Sequence, residues 1–586
     1  MSGRSASSSH SLENVDDPLE SYSHSPSPSL FINIPVLEKE DVPPKCYFND
    51  DEKRTRKAPF VTNTALTSTA SSIINKSDER IIINWEDNDP EKPHNWTTRK
   101  KIGVLSIGMA VVLNSTIGSS LPSNATAQID ADFHVSGSAG RILPISMYLV
   151  GYIFGPIVFA PLSETYGRRR IMQYTFVLFT IFIMATALSP NWAAFLLFRM
   201  FTGIAASSPI AVIGGVYADI YDDPVARGRT MAVFISGTCV GPLTAPIISG
   251  FITPERGWRW SFWIALVIAG ATLIPIYLFP ETYAPTILEE RARKMRKATG
   301  NPNIIAVHEL EKRDFKEMAT RILTRPLRML CSELIVMSSC MYTSLAYAIF
   351  YMSFDVYPLV FQGVYKQSAG DSALMFLPIA VGGLFALFIF LWWDSVLLKA
   401  QKLDKPWTHQ EESRRLPLAF IGGPLYVIAL FWIGWTANKD IPYWVPMLSG
   451  IPFGMGYMLI FMALLNYLTD SYEEYAASAN AASSFCRSIA GATLPFATTS
   501  MYRNLGIAWG STLLGFLSLL MCAIPFVFFW KGDVIRANSK FCIFLKEKKE
   551  ADLEDARLRR EARLRANGPR AFQNEGLTRD IEKLEN

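Results

Sequence analysis

The chain has 586 residues, half of them apolar, 12% aromatic and 18% charged, below the roughly 25% charged share of a soluble domain. That composition excludes an ordinary soluble globular protein, and a net charge of +4 supplies no basic surface for nucleic acid. Charge crowds into Met1–Lys101, Glu281–Arg328, Lys399–Arg415 and Lys531–Asn586, leaving long neutral stretches suited to a lipid bilayer.

Residues 1–101 are rich in Ser, Pro, Asn and charge and lack the apolar core and cleavage site of a signal peptide, so a disordered cytosolic tail is expected. Its serines and lysines offer sites for kinases and a ubiquitin ligase, and a solvated tail without a role is the alternative. Apolar runs follow at 102–122, 139–161, 171–190, 193–217, 231–252, 260–280, 329–354, 372–393, 416–437, 443–468, 476–499 and 509–530. Each is long enough to cross a bilayer with some tilt. Arg99, Lys100 and Lys101 precede the first run, Arg168 to Arg170 separate the second and third, and Arg227 and Arg229 separate the fourth and fifth. The excess of Lys and Arg makes those loops cytosolic, and an even number of crossings returns the C-terminal tail to the cytosol. Arg256 and Arg259 weaken the asymmetry at an outer loop.

The long loop 281–328 divides the runs into bundles at 102–280 and 329–530, with a cytosolic tail at 531–586. The fold class is therefore all-α integral membrane, with twelve transmembrane helices in two six-helix pseudo-symmetric bundles, although no sequence repeat links the halves. In the central loop EERARKMRK predicts a basic amphipathic helix on the inner leaflet. The terminal LKEKKEADLEDARLRREARLRANG predicts a solvated or membrane-skimming helix. No GxxxxGK[ST] loop occurs, which argues against direct ATP hydrolysis. Of the cysteines, Cys239, Cys331, Cys340, Cys486 and Cys522 lie in apolar runs and Cys46 and Cys542 in tails. Neither a disulfide nor a metal site is expected, and the chain shows no cofactor motif or catalytic triad pattern.

Two motifs carry mechanics. In GPIVFAPLSETYGRRRIM, Gly167 permits a tight turn, Glu164 can meet an arginine or a helix N-terminus, and Arg168, Arg169 and Arg170 anchor the turn. In the fifth run Gly237, Gly241 and Gly250 allow close helix approach while Pro242 and Pro246 bend the helix. On these residues the chain resembles the major facilitator superfamily, and APLSETYGRR is similar to the fungal twelve-span drug–proton antiporters, including their polyamine-exporter branch. Ala160, Glu164 and Thr165 depart from the general loop pattern. NDPEKPHNW, WRW at Trp258 to Trp260, PETYAPTIL, TRPLRML and NYLTDSYEEYAASANAA extend the likeness in order along the chain.

The resemblance implies alternating access, an export role marked by the Gly241–Pro242 motif, and a gating loop in which Asp219 and Arg227 join Glu164, Gly167, Arg168 and Arg169. Arg199 matches the superfamily arginine linked to proton transfer, with Thr202 in place of the usual Gln; a structural arginine bonded to carbonyls is the alternative. Glu333 and Asp355 match acidic positions of the polyamine branch and are candidates for proton coupling, or mark helix ends. Asp355 could also receive a cationic amine or pair with Arg141. Charges inside apolar runs are costly and so point to function, which adds Arg487, whose charge would need a carboxylate, carbonyls or water.

Asn114, Tyr347, Tyr351, Phe453, Tyr457 and Asn466 are candidates for the substrate cavity, since aromatic faces hold flat apolar drugs and organic cations. Asn124-Ala-Thr126 is a glycosylation sequon. The expected activity is proton-coupled export of amphipathic drugs or xenobiotics, polyamines or both, by a monomer in a fungal plasma membrane, with the vacuolar membrane as alternative. Nutrient or organic-cation uptake and a non-transporting solute sensor are the rival functions.

Overall fold

The computed structural model describes residues 73–75, 80–86, 89–135, 137–310, 315–472 and 475–567. The modification sites expected before residue 73, and Cys46, lie outside the described residues. The spans are α1 Thr98–Ser120, α2 Gly140–Tyr166, α3 Arg168–Ala187, α4 Trp192–Ile220, α5 Val225–Arg256, α6 Trp258–Tyr277, α7 Leu334–Val364, α8 Ala369–Lys402, α9 Pro417–Thr436, α10 Trp444–Tyr472, α11 Ala476–Thr493 and α12 Pro495–Ala537. Among the described residues eleven of these are long and apolar enough to cross a membrane. The helix that falls short is α11, whose 18 residues include Ser, Asn and Arg487. It packs against α2, α7 and α10, so protein rather than lipid covers its polar groups.

Boundaries shift where a local signal competes with hydropathy. Glu333 adopts an extended backbone as the N-cap of α7, which separates it from the amphipathic helix Phe315–Ser332 and moves its start inward from the predicted residue 329. At the far end α7 runs on through a π-helical turn, Leu359–Val364. The helical backbone of Leu494 makes 495–505 a continuation of α11. Pro495–Ala537 is two helices that meet at a kink, so the last membrane helix begins after Gly506, near the predicted residue 509, and Gly506 itself has φ of 76°. Only glycine adopts that conformation without strain.

The end of the bundles carrying Arg168 to Arg170 and Arg229 is called the basic end. Beside it, two expectations are corrected. Residues 73–101 are not wholly disordered: β1 Ile73–Asn75 and β2 Arg80–Ile83 pair antiparallel, and β2 pairs in parallel with β3 Ile304–Ala306 of the central loop. Asp89 accepts from Arg291 at 2.5 Å, and Trp96 is buried. The basic helix Ala284–Thr299 likewise turns its apolar stripe away from lipid. Leu288 and Ala292 pack on Ala306 with Ile83 and Trp85, so the sheet covers the face that was expected to meet the inner leaflet.

Within α5 the helix runs unbroken through Pro242, Pro246 and Pro254. Pro246 has no N–H, so the carbonyl of Pro242 loses its helical donor. Ser120 Oγ replaces it at 2.6 Å, a local repair of the kind that lets membrane helices keep their prolines.

Candidate translocation site between the two bundles

Tyr347 and Tyr351 stand four residues apart on α7 and so share a face, with ring centroids 4.8 Å apart. Tyr457 and Phe461 on α10 repeat that spacing at 4.5 Å, and Tyr457 stacks on Phe350 at 4.6 Å. The Arg487 guanidinium lies 5.2 Å from the Phe461 ring and 5.9 Å from that of Tyr347. The first bundle meets this aromatic group through α1 and α2. Tyr351 donates to Ser119 Oγ at 3.0 Å, while Tyr148 and Tyr152 donate to the carbonyl of Ser115 at 2.6 and 2.9 Å. Gly491, one turn beyond Arg487, would place a Cβ against Tyr347 and Leu149, which sets α11 on the seam between the bundles.

Three of the predicted cavity residues, Tyr347, Tyr351 and Tyr457, thus come together, and three do not. Asn114 donates to Thr272 Oγ1 at 2.9 Å and holds α1 to α6. Phe453 stacks on Tyr426 at 4.8 Å inside the second bundle, where it lines a small apolar cavity with Ile349, Ala429 and Leu514. Asn466 donates to the carbonyl of Met462 on its own helix. Ser119, Tyr148, Tyr152 and Phe461 were not predicted. A polar Ser115–Ser119–Ser120 face on α1 and aromatic repeats at four-residue spacing were the available signals.

The two arginines inside spans have opposite surroundings. Arg199 is 1% exposed and donates to the carbonyls of Pro144, Gly118 and Ser119 at 2.7, 2.7 and 2.8 Å. Residue 122 is proline, so the Gly118 carbonyl at the end of α1 has no helical donor, and Arg199 acts as its cap. The Tyr148 ring covers the guanidinium at 4.5 Å. Arg487 has no ion pair or hydrogen bond among the described residues, and its Nε is buried without a partner. An orphaned buried donor costs about 1–3 kcal/mol.

The two candidate acids lie apart. Asp355 sits partly buried near the far end of α7, and Arg141 supplies the opposite charge that reaches it. Glu333 is 2% exposed and accepts from Tyr472 at 3.1 Å, Ser539 at 2.5 Å and the Phe541 backbone at 3.4 Å. It fastens the start of α7 to the start of the tail helix Lys540–Asn567, away from the aromatic seam.

At the basic end Gly167 takes φ of 95°, and its turn aims the first N–H groups of α3 at Glu281. That carboxylate accepts from Arg168 and Arg169 backbone at 2.9 and 3.2 Å and from Thr282 and Tyr283 backbone at 3.0 Å. Burial pushes its carboxyl above the ordinary glutamate range, and those four donors pull it back. The Arg168 side chain donates to Asp219 at 3.2 Å, Ser163 at 2.7 Å and Glu164 at 3.4 Å. Arg169 reaches the Tyr277 carbonyl, and Arg227 is exposed. The second bundle has a counterpart: Arg415 meets Asp470 at 2.7 Å, and Arg536 meets Glu412 at 2.9 Å. Arg229 on α5 and Asp394 on α8 join the two bundles here at 2.9 Å.

In α5, Gly237 and Gly241 face Met109 and Thr116 of α1, while Gly250 would place a Cβ 2.7 Å from the Ala369 carbonyl at the start of α8. The glycines therefore let α5 touch both bundles. Asn124 Nδ2 donates to the Pro246 carbonyl at 3.1 Å and its Oδ1 accepts from Gln362 at 3.3 Å.

The profile described as Major Facilitator Superfamily matches residues 105–495. The MFS-type transporter paaT of Penicillium rubens is 33% identical over 90% of this chain and 94% of its own length. Polyamine transporter 3 of Saccharomyces cerevisiae is 35% identical over 76% and 71% of the two chains. The multidrug transporter mdrA of Aspergillus fumigatus is 35% identical over 78% and 75%. Among solved structures, the proton:xylose symporter XylE superposes with a TM-score of 0.51 at 17% identity, covering 74% of this chain and 96% of its own. With its two helical bundles and its likeness to fungal drug and polyamine transporters, the chain belongs to the major facilitator superfamily and is a multi-pass membrane transporter, not an enzyme.

Proposed function

We propose that this transporter is a proton-coupled exporter that moves amphipathic aromatic solutes outward by alternating access. The observation that carries the reading is the aromatic seam: Tyr347, Tyr351, Tyr457 and Phe461 gather where the bundles meet, and Tyr351 bonds across to Ser119. Rocking about such a seam would open it to each side in turn. The Gly241–Pro242 segment supports export over uptake, and the multidrug relative supports an amphipathic cargo. Polyamines, named for the yeast relative, would need Asp355 as their counter-charge.

Asp355 is the assigned proton carrier, since it is partly buried with one opposing charge, Arg141, within electrostatic reach. Arg199 holds helix ends and is assigned no proton. The clasps at Arg168 and Arg415 hold one end of each bundle, the excess of basic loops places that end in the cytosol, and the plasma membrane is the assigned location. The test is Asp355→Asn in vesicles. Net export driven by a proton gradient should fall by about ten-fold or more while solute-for-solute exchange persists, since exchange needs no proton release. Loss of both together, or of neither, contradicts the assignment.

A further inference from the structure

Resting on the seam as the transport path, we propose that Arg487 is the counter-ion for an anionic aromatic solute. A carboxylate or phenolate would bond the guanidinium while its ring lies among Tyr347, Tyr457 and Phe461. Three observations converge on this assignment. The guanidinium has no ion pair among the described residues, and its Nε is a buried donor without an acceptor. Its neighbours are the rings of Tyr347 and Phe461, with Cys340 and Cys486 within electrostatic reach of it, and one turn further on Gly491 packs against Tyr347 and against Leu149 of the first bundle. Other charged side chains of the spans are committed elsewhere: Asp219 to Arg168, Asp394 to Arg229 and Arg199 to three carbonyls, while Asp355, about two turns beyond Tyr347 on α7, has Arg141 as its opposing charge.

A fixed cation at membrane depth is costly unless it serves a pathway. Here it has two planar recognition elements at hand. The guanidinium fork matches the two oxygens of a carboxylate, and the tyrosine and phenylalanine rings offer faces and edges to a flat ring system. A cationic solute at the same place would be repelled by Arg487. The site therefore discriminates by charge sign among compounds of similar shape.

Fluorescein and rhodamine 123 share one ring skeleton and differ in charge, which makes them suitable probes. Binding of each to the purified full-length protein, followed by polarisation, tests this inference without requiring transport. Gradient-driven export of the same probes from vesicles tests the broader reading separately. Fluorescein should bind at least about ten-fold more tightly than rhodamine 123. Arg487→Gln should weaken fluorescein about 30-fold, the scale of a desolvated charge pair losing one partner. Arg487→Lys should recover part of that loss, and the melting temperature of both variants should match wild type. Equal binding of the two probes, tighter binding of the cation, no fluorescein binding, or a Gln variant that binds fluorescein like wild type would overturn the assignment. So would a variant that loses both probes equally. Binding with the expected preference but no gradient-driven export would uphold the site and refute the exporter.

Discussion

Each bundle carries an arginine inside a span, Arg199 fully buried and Arg487 partly so, and the two are surrounded in opposite ways. In the first, Arg199 distributes its guanidinium over three backbone carbonyls, two at the end of α1 and one inside α2. In the second, Arg487 lies between aromatic rings and keeps a buried donor unbonded. The basic end shows a related contrast. Arg168 is almost wholly buried as it grips Asp219, whereas Arg415 and Asp470 are each about a quarter exposed. A charge in a membrane helix is thus not one kind of object. Where each guanidinium nitrogen has a partner in the protein, as in Arg199, the charge holds helices together; where a donor is left over, as in Arg487, it does not.

The largest expected effect is that of Arg199→Leu, which strips donors from the carbonyls of Gly118, Ser119 and Pro144 at membrane depth. Removing one partner of a buried charged network costs about 3–5 kcal/mol, so the variant should melt far below wild type or fail to reach the membrane. An Arg199→Leu variant that melts like wild type would erase the contrast with Arg487, whose substitution is expected to leave stability intact. The clasps sharpen the comparison on a smaller scale. Arg168→Leu abandons a carboxylate that is 17% exposed and should lower stability by several kcal/mol. Arg415→Leu should cost less, about 1–2 kcal/mol, because its partner Asp470 is more open to water. Denaturation of the two variants side by side reads the difference, and equal losses would show that exposure does not set the strength of these clasps.

Much of the scaffold was legible in sequence because hydropathy over twenty residues is a strong signal. The turn at Gly167 was legible because a Gly between acid and arginine permits few turns. Glu281 escaped although PETYAPTIL was noticed, since the partners that tie it to α3 are backbone N–H groups more than a hundred residues away, and such groups leave no mark in sequence. The second clasp escaped for a similar reason: Arg415–Asp470 repeats the geometry of Arg168–Asp219 without repeating its motif. Asn114 and Phe453 were correctly read as lying inside spans, but periodicity does not say which neighbour a face meets. Trp85 and Ile83 in the tail were hidden because β2 closes its sheet through β3, more than two hundred residues later. The polar content of α11, which lowered its hydropathy, was itself the clearest pointer to the seam.

The measurement that tests the account most directly is accumulation of a fluorescent aromatic solute in inside-out vesicles holding the full-length chain, with the lumen made acidic relative to the outside. The account predicts uptake that rises with the imposed proton gradient and collapses when a protonophore dissipates it. Uptake that proceeds at the same rate without the gradient, or that requires the opposite gradient, would contradict proton-driven export.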